Sequence, residues 1–505
     1  MRVLLIAGVS LLALTSTPLL AQTSGEPAQS TGASSSGAVT DQQPADEPVG
    51  GTIDTLDDQP SPAAAAAPAP TGDPVLDRLN ALEAKVQQLE ARNAKLEQQA
   101  ELNQGRIESV EQRAAKAVQF GWVPTTSEPT GNFTFKPRGV VEADYVAFLE
   151  RKGGYDYNNG TGLRRARIGL EGTAFKKFNY RIEVDFAGNV VTLTDAYLQY
   201  VASPKWLITA GQFKAPFGLE SNNSDNYNTF MERGMFTNAF GNAGAERRIG
   251  AAVAYTTDTL NASVGVFGEN ESVGRSSTAP ATHTPDESWG VNGRATWEPV
   301  FDTGKIVHVG ASGYYRTALR SGDTEDAVRL SDRPNIRVDN GNIADSGVVT
   351  GVKSLTYLGG EAATVFGPVT LAGEYGRLWL DRPAFSNESF DGFYVYGSWF
   401  ITGETRPFKN GNFDRVKPFN NFGGNGFGAL ELALRYDRLD LSNTPVTARA
   451  GNKAQSWTLG LNWYLNPYAK LMFNWVRFGG NNTPLDPIGS KTRGDALATR
   501  LHYDF

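Results

Sequence analysis

The side chains in this 505-residue chain that are best equipped for chemistry are arginines. Arg164, Arg165 and Arg167 fall in one short stretch, and Arg316, Arg320, Arg329, Arg333 and Arg337 recur in another. A guanidinium stays charged at any physiological pH and presents a planar fork of donors, which suits reversible binding of carboxylate or phosphate oxygens. Covalent and metal chemistry are poorly provided for. With 0 Cys and 3 His there are no disulfides, no thiolate nucleophiles and no thiolate zinc or iron–sulfur sites. His283, His308 and His502 are scattered, and no Gly-x-Ser-x-Gly elbow, HExxH pair or phosphate-binding loop occurs. No enzyme activity, cofactor or metal is therefore expected. A net charge of −7 argues against nucleic acid as a partner.

Export is expected first among the elements that must position these arginines. Met1-Arg2, the apolar run Val3 to Leu14 and the small residues ending at Ala21 form a secretory signal, residues 1–21. Residues 22–72 are low in complexity, rich in Ser, Pro and Ala, and read as a disordered tether. At Asp73-Pro74 the composition switches to Leu, Glu, Gln and Lys, with Pro placed for the first helical position. Over residues 73–118, Leu79, Val86 and Ile107 share one heptad column and Leu82, Leu89, Leu96 and Val110 the other. That stripe predicts a coiled-coil helix that mediates oligomerisation. Asn93 and Asn103 in the seam favour a defined register, and Gly105 weakens the C-terminal half.

From about residue 120 to 505 the pattern changes to period-2 alternation broken by Gly, Asn, Asp and Pro turns. Trp457, Leu459, Leu461, Trp463 and Leu465 alternate with Ser456, Thr458, Gly460, Asn462 and Tyr464. Leu497, Leu501, Tyr503 and Phe505 alternate with Ala496, Ala498, Arg500, His502 and Asp504. Charge on one face and aromatic-ended apolar rows on the other describe an inside-out protein with a wet interior. About sixteen such segments run through the chain, from 133–149 to 495–505. The fold class expected is all-β: a transmembrane antiparallel β-barrel of about sixteen strands, preceded by a short helical coiled coil. Short links at Lys176-Lys177, Thr257–Thr259, Gly367-Pro368 and Asn466-Pro467 read as periplasmic turns. Longer ones at about 214–246, 270–287, 317–353, 403–426 and 479–494 read as outer loops or loops folded into the lumen.

The run Gly211-Gln212-Phe213-Lys214-Ala215-Pro216-Phe217-Gly218-Leu219-Glu220 resembles the phosphate-selective outer-membrane porin family, porins O and P. Leu163 to Ala174 is similar to that family's early Arg-Arg strand, Thr402 to Arg406 with Lys417-Pro418 to its late loop, and Leu459 to Tyr464 to its third-last region. The resemblance implies a homotrimer of sixteen-stranded, anion-preferring pores in the outer membrane of a Gram-negative bacterium, in contact with outer-membrane lipid and lipopolysaccharide. It further implies that Arg164 and Arg165 both serve a central anion site. Alternation alone turns Arg165 and Arg167 inward and Arg164 outward, so the resemblance requires a bulge or a rim position there. Asp195, or Thr194 in the other register, falls where the family places an acidic residue beside that site. An arginine ladder with Arg329, Arg333 and Arg337 as its best members leads inward, diluted here by Asp323, Glu325, Asp326, Asp332 and Asp339. The loop after Lys214, with Arg233, Arg247 and Arg248 as its other cations, sets the constriction. After Glu220 the phosphate-specific members carry a lysine where this chain has Ser221, while Arg167 replaces an aromatic and supplies a charge.

The function expected is passive uptake of small anions, with phosphate or polyphosphate favoured, through lumen arginines. The alternatives are a weakly selective general-diffusion porin and an envelope-tethering protein whose coiled coil binds cell wall or a partner. Mixed charges sharing one face (Arg181, Glu183 and Asp185; Glu431, Arg435 and Asp437) read as structural networks rather than ligand sites.

Overall fold

The computed structural model describes residues 73–117, 126–127, 131–152, 155–270, 287–317, 319–321, 324–442, 452–482 and 491–505. The expected signal segment 1–21 and tether 22–72 lie outside the described residues.

The first unit is helix α1, Pro74–Ala117. Asp73 caps it: its Oδ1 accepts from the backbone N–H of Val75 at 2.9 Å, and Pro74 occupies the first turn where no N–H is needed. The helix runs through Gly105 without a break. Leu79, Leu82, Val86, Leu89 and Leu96 are all exposed on it. The side chains of Ile107 and Val110 lie outside the described set.

The second unit is a closed barrel of sixteen antiparallel strands. They are β1 Phe133–Lys152, β2 Gly160–Ala174, β3 Phe178–Asp185, β4 Thr192–Val201, β5 Trp206–Lys214, β6 Arg247–Thr256, β7 Leu260–Phe267 and β8 Trp289–Asp302. The second half comprises β9 Lys305–Thr317, β10 Ser354–Phe366, β11 Val369–Asp381, β12 Glu388–Phe400, β13 Ala429–Leu441, β14 Asn452–Asn466, β15 Ala469–Asn481 and β16 Lys491–Asp504. Each strand pairs with its neighbours in sequence, and β1 closes on β16 from Val140↔Asp504 to Lys152↔Arg493. The seam extends to the last residue, where Phe505 and Gly139 exchange two backbone hydrogen bonds of 3.0 and 3.1 Å. A Cβ at Gly139 would occupy the space of the Phe505 ring, so glycine there seats the terminal aromatic.

The alternation read from sequence holds along most of the wall. Ser456, Thr458, Asn462, Arg500 and His502 are buried in the lumen wall, whereas Trp457, Leu459, Leu461, Leu497 and Tyr503 are exposed on the outside. The wet-interior expectation needs correction on one side. The chain after β5, residues 215–246 including helix α2 (Met235–Gly244), folds into the barrel and packs against β9–β12. Phe217 meets Tyr357 at 4.8 Å, Phe230 meets Tyr396 at 5.5 Å, and the Tyr314 hydroxyl donates to the Phe240 carbonyl at 2.6 Å. The side of the lumen against β9–β12 is thus an aromatic core, because the inward loop supplies the apolar partner that the strand pattern alone does not contain.

A second segment enters from the opposite rim. Residues 401–428 connect β12 to β13 at the same end as the short turns, so they belong to the inner rim and not among the outer loops. The Arg406 Nη1 donates to the Tyr227 carbonyl at 3.0 Å, and the Phe413 N–H donates to Asn223 Oδ1 at 2.9 Å. The two inward segments therefore touch in the middle of the barrel.

Candidate functional site: the pore constriction

Two β-bulges shape the wall that faces the inward loop. Glu142 pairs with Arg165 and the adjacent Ala143 with Leu163, so Arg164 is the extra residue. The bulge turns Arg164 and Arg165 to the same side, where regular alternation would have sent Arg164 out. The same device recurs on β4: Glu183 pairs with Asp195 and Val184 with Leu193, leaving Thr194 extra. Thr194 and Asp195 are both buried on the lumen side, which resolves the choice between them by admitting both.

Between this wall and the loop lies a cavity of about 260 Å³. Five cations line it: Arg138, Arg167, Arg181, Lys214 and Arg247, from β1, β2, β3, β5 and β6. Three carboxylates face them, Glu183, Asp195 and Asp225, with Tyr197 and Phe213 as the aromatic part of the lining. At about 30 Å³ per water, the space holds a small oxyanion with part of its hydration shell.

Asp225 on the loop gathers the first set of basic residues. Arg167 Nη1 lies 2.9 Å from it, Arg165 Nε 3.3 Å and Lys214 Nζ 3.6 Å, and Arg233 pairs with it directly. Burial pushes the Asp225 carboxyl up, but Arg165, Arg233, Lys214 and Arg167 together outweigh this and hold it well below the usual range. Arg165 is also paired with Glu142 and is itself buried. Lys214 donates to the backbone carbonyls of Ser221 and Asn223, each at 3.0 Å. Asp195 accepts from Arg247 at 2.9 Å and lies 3.8 Å from Arg181.

Glu232 gathers the second set. It accepts from Arg164 at 2.7 and 3.1 Å and from Arg500 at 2.8 Å, and lies 3.3 Å from Arg337. Burial raises its carboxyl, yet Arg164, Arg500 and Arg337 hold it far below the usual range. Arg337 donates further to Asp332 at 2.7 Å, and Arg333 donates to the Arg337 carbonyl at 3.2 Å. Arg329 stands apart: it pairs with Asp345 across the hairpin Ala327–Asp332/Ala344–Thr350, and half of its side chain is exposed.

The structure thus brings Arg165, Arg167 and Lys214 together at Asp225, and Arg164 and Arg337 at Glu232, with Arg333 on the Arg337 carbonyl. Asp195 adjoins the first group, and Arg329 joins neither. Sequence reasoning missed Arg138, Asp225 and Glu232. Arg138 lies on an inward row of β1 and was discoverable by its alternation. Asp225 and Glu232 sit in an irregular loop with no period to read. The mixed-charge faces are ion-paired (Arg181 with Glu171 at 2.7 Å, Arg138 with Glu183 at 2.7 Å, Arg406 with Glu431 at 2.7 Å and Arg435 with Glu220 at 3.1 Å), but Arg181 and Glu183 also line the cavity.

The family model for phosphate-selective porin O and P matches residues 135–505. An uncharacterised protein of Caulobacter vibrioides is 30% identical over 397 residues, covering 78% of each chain. Porin O of Pseudomonas aeruginosa is 28% identical over 415 residues, covering 74% of this chain and 89% of that one. Among solved structures, the anion-selective porin from Comamonas acidovorans aligns with a TM-score of 0.46 and 12% identity, over 74% of this chain and 100% of that one. With a closed sixteen-stranded barrel, a constriction loop folded into it and a family match spanning the barrel, the chain belongs to the phosphate-selective porin O and P family and is an outer-membrane channel.

Proposed function

We propose that the channel passes small anions preferentially, phosphate or polyphosphate above others, by way of the cavity between β1–β6 and the inward loop. The observation that carries this reading is the convergence of five cations from five strands on that cavity, against three carboxylates. Arg167, Arg165 and Lys214 form the central site, Asp195 orients Arg247 beside it, and Arg164, Arg333 and Arg337 collect anions at the outer mouth. Lys214 bears on the missing family lysine. Its amine reaches the carbonyl of Ser221, so a strand residue brings a positive charge to the position that the loop residue lacks. Arg329 is the weakest member of the ladder, because it sits on the hairpin with Asp345, apart from both clusters.

A second reading, a weakly selective porin, draws on the pairing of these same cations. Arg167 alone contacts Asp185, Asp225 and Glu183 within 3.6 Å. Charges spent on one another leave less field for a passing ion. One experiment separates the two: the reversal potential in a planar bilayer under a KCl gradient, followed by titration with phosphate. An anion-selective potential, phosphate block of the chloride current, and loss of both in Arg167→Ala support the anion site. A potential near zero, or block that survives the substitution, assigns the weakly selective role instead.

The uncovered leucine stripe of α1 supports a helical coiled coil with other copies, and a homotrimer is the assembly we propose for the channel.

A further inference from the structure

The outward face of the last four strands carries a cluster of cations at its outer rim. At the outer rim, strand register places Asp440, Lys453, Asn481 and Lys491 side by side across β13–β16. One outward row further in come Arg438, Gln455, Gly479 and Arg493, then Tyr436, Trp457, Arg477 and Asp495. Five cations thus face two carboxylates within about 14 Å of strand length at roughly 6.8 Å per outward row. The glycine in the middle row leaves no side chain at its centre, and a cavity of about 260 Å³ opens there, walled by Arg438, Lys453, Lys491 and Arg493. Asp440 is already taken by Arg438 and Lys453, each at 2.8 Å. Among the described residues, Lys491 and Arg493 enter no ion pair, and both are exposed.

Immediately below, the outward rows turn apolar: Leu434, Leu459, Trp475 and Leu497, with Leu432, Leu461 and Phe473 after them. A basic, concave patch directly above an apolar strip matches a lipid with several acyl chains and a phosphorylated head. The strands end here at the rim opposite the short turns, which is the extracellular leaflet of the outer membrane. We propose that this patch binds the phosphorylated head of a lipopolysaccharide molecule, with Lys491 and Arg493 as its principal contacts and the strip below as the seat of its acyl chains. The proposal rests on the outer-membrane reading but is independent of what the pore transports.

The test titrates full-length detergent-solubilised protein with bisphosphorylated lipid A, with dephosphorylated lipid A and with inorganic phosphate, counting bound lipid by native mass spectrometry. Each surface cation contributes about a fivefold gain toward an anionic lipid head, so Lys491→Gln/Arg493→Gln is expected to weaken bisphosphorylated lipid A about 25-fold. Lys491→Arg/Arg493→Lys is expected to bind within about threefold of the parent, which separates loss of charge from loss of fold. Dephosphorylated lipid A is expected to bind the parent about 25-fold more weakly than the bisphosphorylated form and to bind the Gln variant no more weakly than that, and inorganic phosphate is expected to displace nothing. Equal binding by the parent and the Gln variant overturns the proposal. So does undiminished binding of the dephosphorylated lipid, or displacement by inorganic phosphate. Conductance of each variant in a phospholipid bilayer free of lipopolysaccharide is read in parallel and is expected to be unchanged. Failure to form any channel there would count against the porin reading and leave the lipid result to stand on its own.

Discussion

Replacing Glu232 by Gln removes one negative charge from the tip of the constriction loop while keeping a hydrogen-bond acceptor. The three guanidiniums that share this carboxylate are affected unequally. Arg500 retains Asp144 at 2.7 Å and Arg337 retains Asp332 at 2.7 Å, but among the described residues Arg164 pairs with no other carboxylate. With 28% of its side chain exposed, Arg164 then presents an uncompensated charge to the lumen. Taking a passing ion at roughly 6 Å and a dielectric between 80 and about 40, one unit charge is worth about 0.7–1.4 kcal/mol, favourable to the anion and unfavourable to the cation, so the anion-to-cation permeability ratio is expected to rise about tenfold or more. The assay is the reversal potential of single channels under a KCl gradient, repeated at low and high salt. Screening shortens from about 10 Å at 0.1 M to about 3 Å at 1 M, so the gain is expected to shrink at the higher concentration. Folding is checked by the heat-modifiable migration of the barrel. A folded Glu232→Gln channel whose potential is unchanged, or moves toward cations, refutes the view that Arg164 acts on ions in the lumen.

Arg406 and Glu431 lock the inner-rim segment 401–428 to the wall at 2.7 Å, both fully buried. Arg406→Met strands the carboxylate and is expected to cost about 3–5 kcal/mol in urea unfolding, whereas Arg406→Met/Glu431→Leu recovers most of it; a double variant no better than the single one contradicts this. The carboxyls of Asp225 and Glu232 both titrate well below their unfolded values, so the stability they lend the loop is complete above the unfolded range near pH 4 and is lost only as pH falls through the folded values. Current noise is therefore expected to stay level from pH 7 to pH 5, and a rise within that window would show that other groups hold the loop. Leu82→Asp/Leu89→Asp places charges in the helix stripe; chemical cross-linking between helices is expected to fall while conductance is kept, and undiminished cross-linking would place the contact elsewhere.

Strand number, strand edges and facing were legible in the residues because a wall between lipid and a polar lumen forces a period of two, and that period survives in any single strand. The helix from Pro74 was legible for a related reason: a 3.5-residue stripe and an Asp-Pro start are local signals. The inward turn of Arg164 was not. It depends on a bulge, which exists only in the pairing of β2 with β1 and leaves no mark on either strand read alone. Nor was the aromatic packing on one side of the lumen. Tyr314, Tyr357, Tyr394 and Tyr396 alternate like any inward row, and what buries them is a loop more than seventy residues away in the chain. The placement of residues 401–428 at the inner rim follows from strand parity, which requires all sixteen strands to be counted correctly. Sequence by itself thus determined the barrel and the residue types available to it, because those follow from local periodicity and composition. Tertiary structure alone decided which cations meet. Asp225 and Glu232 are contacts between a folded-in loop and distant strands, and long-range Coulomb pairing has no period along the chain.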